Sequence, residues 1–343
     1  MKILLGMSGG VDSAYAAHRL IEEGHSVEGA VLIMHSYTDV LAAEEAAIGI
    51  GIPLHKIDCR ELFESRVVED FISEYLSGRT PNPCIICNAD VKMRVLYDYA
   101  ISHGFDAIAT GHYARVTERR GDFGIKHTVS KAGDKRKDQS YMLYRLSEDI
   151  LSRLYLPLMD KEKSDVKKEA AEIGISAADR GESQEICFIP DNDHAAFIEG
   201  RTAPSPRGHY INKEGKILGE HSGIIRYTVG QRKGLGIAMG KRVFVTEINA
   251  ENNTVTLSDE DKVGSKFAVR DMVFPGISEP KINEKLSLSV KVRYLAPPVS
   301  CTLEYLGGGR AEVKLDVPQR AITPGQSAVF YDGDDVAAGG FIL

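Results

Sequence analysis

The chain has 343 residues, of which 43% are hydrophobic and 27% charged, and its formal net charge is −7. No apolar run approaches the roughly 20 residues needed to span a bilayer, and the N-terminal run is too short for a signal peptide, so we expect a cytoplasmic protein. The five cysteines, an odd number, exclude a disulfide scaffold and favour catalysis or metal binding. The acidic charge gives no global sign of nucleic-acid binding, which then requires a local basic face.

The first 110 residues alternate short apolar runs with helical patterns. Strands that alternate with helices indicate an α/β domain built on a parallel, helix-covered sheet, in which ligands bind beyond the carboxyl ends of the strands. The periodicity of apolar residues gives the bounds. The predicted strands are Lys2–Gly6, Val27–Met34, Ile52–Asp58 and Ala107–Thr110, and the predicted helices are Ser13–Glu23, Thr38–Ile48, Leu62–Leu76, Val91–His103 and Asp160–Ile173.

The residue pattern changes after about residue 195, where strand-like runs are separated by Gly, Asn and Asp turns. Pro204-Ser205-Pro206 marks the boundary with the first domain, and a second division falls near residues 262–266. We therefore expect three domains, 1–200, 201–262 and 263–343, of which the last two are small and β-rich. The predicted strands are Val243–Ile248, Thr254–Leu257, Leu286–Val292, Ala311–Leu315 and Ala328–Tyr331.

The strongest single motif is Ser8-Gly9-Gly10-Val11-Asp12-Ser13, which follows a predicted strand and opens a helix. A bound triphosphate needs several converging N–H donors with no side chains in the way, and two glycines followed by a helix N-terminus provide them. Asp12 could cap the helix or help to bind a phosphate-bound metal. The motif is not a Walker A loop, because no Gly-Lys-Ser/Thr follows. It resembles the pyrophosphate loop of enzymes that split ATP and leave AMP on the substrate.

The cysteines form the second group of candidate functional residues. Cys84 and Cys87 lie in a proline-restricted loop before the predicted helix Val91–His103, and Lys92 and Arg94 nearby favour a Cys87 thiolate. A Cys-x-x-Cys pair is as compatible with a metal half-site or a redox pair as with sulfur transfer, although a complete zinc site lacks its fourth ligand. The third cysteine, Cys187, lies about 100 residues further on. Two others, Cys59 and Cys301, occur in apolar strand contexts and are predicted core residues.

Several segments, in order along nearly the whole chain, together resemble the tRNA-specific 2-thiouridylase family of PP-loop ATP pyrophosphatases. They are Ser8–Ser13, Gly78–Pro83 with Cys87-Asn88, Ala109–Arg115, Lys137–Tyr141, Ser183–Ile189, Tyr227–Gly236 and Thr323–Tyr331. The resemblance implies an N-terminal PP-loop domain with a HUP-like parallel sheet, and a last domain that is a β-barrel. It also implies ATP, with Mg²⁺, and tRNA as substrates.

The implied reaction replaces the C2 oxygen of the wobble uridine, position 34, with sulfur. Adenylation makes that oxygen a good leaving group, and a cysteine persulfide then brings sulfur to the activated carbon. By position, Cys187 matches the persulfide carrier and Cys87 its nucleophilic partner, so each cycle would end in a Cys87–Cys187 disulfide. A persulfide donor, either a cysteine desulfurase or a sulfur-relay protein, is an implied partner, and the family usually acts on lysine, glutamate and glutamine tRNAs.

The resemblance also assigns binding residues by position. The nucleotide contacts are Gly6, Met7, Ser8, Gly9, Gly10, Val11, Asp12, Ser13, Met34 and Gly111. The target-base and tRNA contacts are Asn82, Pro83, Cys84, His112, Lys137, Asp138, Gln139, Arg293, Tyr294 and Gln326.

Two departures from the family pattern leave alternatives open. Better-studied members carry aspartate where this chain has Cys84, so either that carboxylate is dispensable or Cys84 joins the sulfur chemistry. Alternatively, Cys84, Cys87 and Cys187 hold an iron–sulfur cluster, for which three thiolates suffice. The second departure is a shortened stretch at Met34–Ala47. Two further rivals are a PP-loop enzyme that acts on a small metabolite and a non-catalytic RNA-binding protein.

Local basic sets give RNA binding some independent support. Phosphate contacts from such sets determine affinity and salt dependence, although a charge run alone is more often a solvated loop. One set is Lys126, Lys131, Lys135, Arg136 and Lys137; the other is Arg226, Arg232, Lys233, Lys241 and Arg242, with Tyr227 among them.

Overall fold

The computed structural model describes residues 1–121, 124–175, 186–260 and 263–343, and the side chains of all of these except residues 120, 121 and 124. The strands are β1 (Lys2–Gly6), β2 (Ser26–Ile33), β3 (Leu54–Asp58), β4 (Ala107–Thr110), β5 (Arg115–Gly121), β6 (Gly124–Ser130), β7 (Leu154–Tyr155), β8 (Gly208–Ile211), β9 (Ile217–His221), β10 (Phe244–Asn249), β11 (Thr254–Ser258), β12 (Val263–Val273), β13 (Lys285–Lys291), β14 (Val299–Gly307), β15 (Arg310–Arg320), β16 (Ser327–Asp332) and β17 (Asp335–Ile342).

The α-helices are α1 (Val11–Glu22), α2 (Val40–Ile50), α3 (Arg60–Phe63), α4 (Glu69–Leu76), α5 (Pro83–Ile86), α6 (Met93–Ser102), α7 (Ser140–Leu143), α8 (Glu148–Leu151), α9 (Lys163–Glu172) and α10 (His194–Glu199). Two π-helical turns, Glu64–Val68 and Cys87–Lys92, join α3 to α4 and α5 to α6. A short 3₁₀ turn covers Ile224–Arg226.

The N-terminal sheet confirms the predicted α/β class. Its strands run in the order β3-β2-β1-β4-β7, and all neighbours are parallel. Both faces are covered: Ile3 and Leu5 of β1 belong to the core under α1 and α2, whereas Leu4 between them belongs to the core on the other face. The central strand β1 ends at Gly6, which pairs with Ala30 of β2 and Thr110 of β4. The carboxyl ends of these three strands therefore form one edge.

The long helix predicted from Leu62 to Leu76 is helical throughout, but its Glu64–Val68 segment is a π turn. The prediction for the cysteine segment was wrong. Helical structure begins at Pro83 and not at Val91, so Cys84 and Cys87 lie in the first turns of a helix. Proline is favourable at the first helical position, where its missing N–H has no partner to lose.

The C-terminal half forms two separate β structures. The sheet β10-β11-β8-β9 is small, and β8 pairs in parallel with β11. The remaining strands run in the order β12-β15-β14-β13-β16-β17, and pairing of β12 with β17 closes them into a six-stranded barrel. Buried side chains such as Val290, Leu303 and Phe330 fill its interior. The β5–β6 hairpin extends this barrel sheet through Ser130 and Asp335, and the sequence patterns did not predict that hairpin.

Both β structures contact the segment that precedes α5. The N–H of Thr80 donates to Pro324 O at 2.9 Å, and Gln326 Nε2 donates to Thr80 O at 2.8 Å. The Thr80 hydroxyl also contacts the Thr228 hydroxyl at 3.1 Å. A Cβ on Gly325 would lie 2.8 Å from Thr80 N, so the close approach requires glycine there.

In the described part of the chain, every helix is too short or too polar to cross a membrane.

Candidate active site

The phosphate loop has the predicted backbone path. Gly9 adopts φ +76°, and a Cβ there would lie 2.5 Å from the Ala42 side chain, so only glycine fits. The Ser13 hydroxyl donates to Gly10 O at 2.9 Å and accepts from Ser8 N at 3.3 Å, which closes the turn. Gly10 is the N-cap of α1 and makes no side-chain cap bond. The first N–H groups of α1 are therefore available to an anion.

Asp12 neither caps α1 nor stands free for a metal. Its carboxylate accepts from Lys163 Nζ at 2.5 Å on each oxygen, and the Tyr113 hydroxyl donates to Oδ1 at 2.7 Å. Lys163 is 8% exposed and begins α9, 151 residues away in sequence. The sequence reasoning missed Lys163, because no local motif links it to the loop. A cation thus lies beside the predicted phosphate site.

The neighbouring strand ends complete the nucleotide edge. A Cβ on Gly111, just after β4, would lie 2.8 Å from the backbone of Asp12, so α1 approaches this residue closely. Met34 follows β2 and is half-buried. Its sulfur lies 3.8 Å from Cys87 Sγ, so Met34 contacts the cysteine helix. The other predicted nucleotide contacts, Gly6, Met7 and Val11, belong to the same strand end and helix start.

The cysteine helix is capped by a residue of the predicted base-binding set. Asn82 Oδ1 accepts from Cys84 N at 3.2 Å, and Pro83 follows at the first helical position. An asparagine cap followed by proline is a favoured helix start, which explains why the helix begins here. Cys84 is exposed, whereas Cys87, one turn later, is buried.

The expected Cys87 thiolate was wrong for the folded chain at neutral pH. Burial raises the pKa of Cys87 to about 12, although the positive charge of Lys92 opposes that shift. Desolvation thus outweighs the helix terminus and the nearby cation on which the prediction was based. Cys87 is a protonated thiol until something changes its surroundings. Cys59 and Cys301 are buried, as predicted.

Cys187 is exposed, and its charge influences the other cysteines of the site. Charge on Cys187 or Cys84 raises the pKa of Cys87, and charge on Cys84 raises that of Cys187, so the three sulfurs interact electrostatically. Burial by the surrounding protein also raises the Cys187 pKa, and Lys92 lowers it. The fold therefore brings together cysteines that lie about 100 residues apart. Ser183, Gln184 and Glu185 of the same motif lie outside the described residues.

The iron–sulfur alternative finds no support in this geometry. Within the described ranges, no group of three His, Cys, Asp or Glu side chains is arranged to hold a metal ion. Cys87 is also buried with its sulfur against Met34. The three cysteines are near one another, but they do not form a ligand set.

His112 lies at the same sheet edge and is half-buried. Its Nδ1 lies 2.9 Å from the Thr110 hydroxyl. Burial and the charge of Lys92 lower the pKa of His112 to about 3, so the imidazole is neutral at physiological pH. A neutral imidazole can exchange a proton or a hydrogen bond with a base without adding charge to the site.

Several predicted tRNA-contacting residues make hydrogen bonds within the chain. Asp138 accepts from Ala132 N and Ser140 N, and Gln139 Oε1 accepts from Tyr113 N at 2.9 Å. Arg293 donates to Val229 O and Thr323, Tyr294 packs 5.9 Å from Tyr141 between ring centres, and Gln326 binds Thr80. Lys137 is half-exposed beside Asp138. Their contacts with tRNA remain predictions.

Each basic set has members that contact the rest of the fold and members that are exposed, and Lys135 and Arg136 of the first set are exposed. In the first set, Lys126 donates to the carbonyls of Phe274 and Ile277, and Lys131 pairs with Asp334. These charges stabilise domain packing, which the sequence did not indicate. In the second set, Arg226 and Lys241 pair with Glu199 and Asp259, and Tyr227 is buried and cannot stack on a base. The remaining members of the second set, Arg232, Lys233 and Arg242, are exposed.

A cavity of about 430 Å³ lies beside Cys187. Met34, Phe63, Phe188 and Phe197 line it, with Arg60 and Arg201 among its polar residues. Its size and aromatic walls are compatible with a nucleobase or another flat group.

Three sequence profiles match the chain in order. They are described as the tRNA methyl transferase HUP domain, matching residues 1–191, the tRNA methyl transferase PRC-barrel domain, residues 195–259, and the aminomethyltransferase beta-barrel domain, residues 265–342. The chain is 43% identical to the tRNA-specific 2-thiouridylase MnmA of Acetivibrio thermocellus, covering 99% of both chains. The same comparison with Clostridium acetobutylicum gives 42% over 99% of both chains, and with Clostridioides difficile 41% over 99% of this chain and 98% of that one.

Proposed function

The chain belongs to the tRNA-specific 2-thiouridylase family, and on that premise we propose that it thiolates the wobble uridine of tRNA through Cys187 and Cys87. It is an enzyme, a tRNA sulfurtransferase. The observation that carries the proposed residue roles is the convergence of three thiols beside the carboxyl edge of a PP-loop sheet.

ATP is the activating substrate. The loop from Ser8 to Ser13 and the free N–H groups of α1 bind its phosphates, and Lys163 adds positive charge there. Met34 and Gly111 flank the nucleoside side of the same edge. Transfer of AMP to the C2 oxygen of the uridine releases pyrophosphate and makes that oxygen a leaving group. Mg²⁺ would come with the triphosphate, because Asp12 is already paired with Lys163.

The sulfur is then transferred in three steps. A persulfide donor first leaves a terminal sulfur on Cys187, which is exposed and accessible to such a partner. The terminal sulfur attacks C2, its bond to carbon forms, and AMP leaves. The Cys87 sulfur then attacks Cys187 Sγ, which breaks the sulfur–sulfur bond to the nucleoside and forms a Cys87–Cys187 disulfide. The products are 2-thiouridine, AMP, pyrophosphate and an oxidised enzyme that a dithiol must reduce.

The rival functions are less well supported. An enzyme that adenylates a small metabolite needs no thiols at the sheet edge, and a non-catalytic RNA-binding protein needs no intact phosphate loop. An iron–sulfur-dependent reaction needs a ligand set that the described residues do not provide. Without a cluster, the two roles proposed for Cys84 are binding of the target base and participation in the thiol chemistry.

Other parts of the proposal concern location, partners and boundaries. Lysine, glutamate and glutamine tRNAs remain the predicted acceptors, a desulfurase or relay protein the predicted donor, and the cytoplasm the predicted location. Domain bounds of 1–200, 201–262 and 263–343 are supported by the profile matches to residues 1–191, 195–259 and 265–342.

The decisive experiment incubates the purified chain with unmodified tRNA, Mg-ATP and a small-molecule persulfide, and measures nucleosides by mass spectrometry. We expect 2-thiouridine and AMP from the native chain and none from Cys187→Ser or Cys87→Ser. The matched control is Cys301→Ser, a buried cysteine in the core of the barrel. Full activity in either of the first two variants would reject the proposed cysteine roles.

A further inference from the structure

Lys92 ends the π turn that begins at Cys87. In an α-helix, a residue five positions later points about 140° away from the first. The π turn changes this, because its hydrogen bonds join residues five apart, as in the bond from Met93 N to Asn88 O. Residue i+5 then lies close to the face of residue i. The extra residue therefore turns Lys92 toward the side of the helix that carries the cysteines.

The surroundings of Lys92 are unusual for a lysine. It is half-buried, and within the described residues no carboxylate lies within ion-pairing distance of it. Burial lowers the pKa of Lys92, but the charges of Cys87, Cys84 and Cys187 outweigh that effect and raise it. A buried cation normally pairs with a carboxylate or loses its proton. The cysteines act on Lys92 as counter-charges when they ionise.

Among the described residues, Lys92 also acts on two histidines. His35, after β2, and His112, after β4, both have a lowered pKa, first through burial and then through the charge of Lys92. Both imidazoles are therefore neutral at pH 7. Lys92 lowers the pKa of Cys87 and of Cys187, so one cation serves both sulfurs.

We propose that Lys92 is the shared counter-ion of the sulfur chemistry, stabilising whichever cysteine sulfur carries the negative charge. This inference rests on the proposed roles of Cys87 and Cys187. In the resolving step, Cys87 attacks as a thiolate; in the later reduction of the disulfide, one of the two sulfurs leaves as a thiolate. In the resolving step the negative charge passes from Cys87 to the departing 2-thiouridine sulfur, and in the reduction it passes from the external dithiol to Cys87 or Cys187; Lys92 lowers the pKa of both cysteines. No oxidant or further cofactor is needed for that role.

The test measures thiol ionisation directly in the full-length chain, without tRNA. The rate at which iodoacetamide alkylates Cys187 is followed against pH by peptide mass spectrometry. An opposite charge nearby typically shifts a pKa by about one unit or more. Removing it in Lys92→Met should therefore slow alkylation of Cys187 by about tenfold at pH values below the midpoint. Lys92→Arg keeps the charge and should restore most of the rate.

The matched control is Lys168→Met, an exposed lysine on α9. It should leave the alkylation profile of Cys187 unchanged. An unchanged profile in Lys92→Met would overturn the proposal, as would an equal shift in Lys92→Arg. If Lys92→Met does not fold, as judged by near-ultraviolet circular dichroism, Lys92→Gln against Lys92→Arg makes the same comparison. Because the readout does not use thiolation, it separates a failure of this inference from a failure of the cysteine roles.

Discussion

The phosphate loop and the cysteines show how far single residues can be predicted. Ser8 to Ser13 are six consecutive residues, so a local motif determines the path of their backbone, and that path was predicted correctly. Lys163 was not predicted, because its contact with Asp12 spans 151 residues. The ionisation of Cys87 was predicted with the wrong sign, since sequence shows nearby charges but not the burial that outweighs them.

Cys301 offers a test of burial effects away from the site. Burial, together with the charge of Asp316, raises its pKa from an ordinary 9.0 to about 12. The folded chain thus keeps this thiol protonated while the unfolded chain ionises it. The stabilisation is complete below pH 9 and is lost as the pH rises toward 12, by up to about 1.4 kcal/mol per pH unit.

The measurement compares urea unfolding of the native chain and Cys301→Ala at pH 8, 9 and 10.5. The alanine variant loses packing at every pH, but we expect the native chain's advantage to shrink above pH 9. Two stability curves that stay parallel over this range would contradict the predicted shift.

At the scale of elements, the strands and long helices followed from periodicity, but the π turns and the start of the cysteine helix did not. Pro81 and Pro83 suggested a loop, although proline also suits a helix start. A π turn depends on an extra residue accommodated by tertiary packing, and no local pattern marks it. The β5–β6 hairpin is a local pairing that the patterns missed, and its contact with Asp335 of the barrel spans 205 residues.

One buried carboxylate connects these elements. Glu74, at the end of α4, is 7% exposed and accepts from Arg79 and from Arg270 of the barrel. Arg270→Met removes one of its two cations and leaves the carboxylate partly unpaired. We expect a loss of about 1–3 kcal/mol in the free energy of unfolding.

Denaturant melts would measure this loss, with Arg310→Met as the control, since Arg310 is an exposed arginine of the same barrel. Equal effects of the two substitutions would show that the Glu74 contact adds nothing beyond a surface charge.

At the scale of the whole molecule, the strand and turn patterns predicted the β-rich character of the C-terminal half, and the family resemblance correctly implied that the last domain is a β-barrel. Alternating patterns identify strands but not which of them pair, and the β12–β17 pairing joins the two ends of the domain. The sequence likewise did not show which basic residues are used in contacts within the fold. Lys126 and Lys131 belong to a five-residue set predicted to bind RNA, and only the fold shows that these two are used in packing.

The exposed arginines of the second set lead to a prediction about tRNA binding. Because the net charge is −7, attraction to phosphate must come from local cations such as Arg232 and Arg242. Changing both to Gln should weaken tRNA binding and reduce the slope of log K against log salt by about 1 to 2. Filter binding between about 50 and 200 mM salt would measure the slope. Lys168→Gln is the control, and an equal slope in both variants would exclude these arginines as phosphate contacts.

Thr80 is hydrogen-bonded to Thr228, Pro324 and Gln326. These bonds have a consequence for any fragment that contains only the first domain. A fragment that ends before the middle sheet keeps every predicted nucleotide contact. It loses the hydrogen bonds to Thr80, two residues before Asn82. Such a fragment should still take up ATP while presenting its cysteine helix without a fixed orientation. The same contacts to Thr80 thus join the two β-rich domains, which would bind tRNA, to the helix that carries the cysteines.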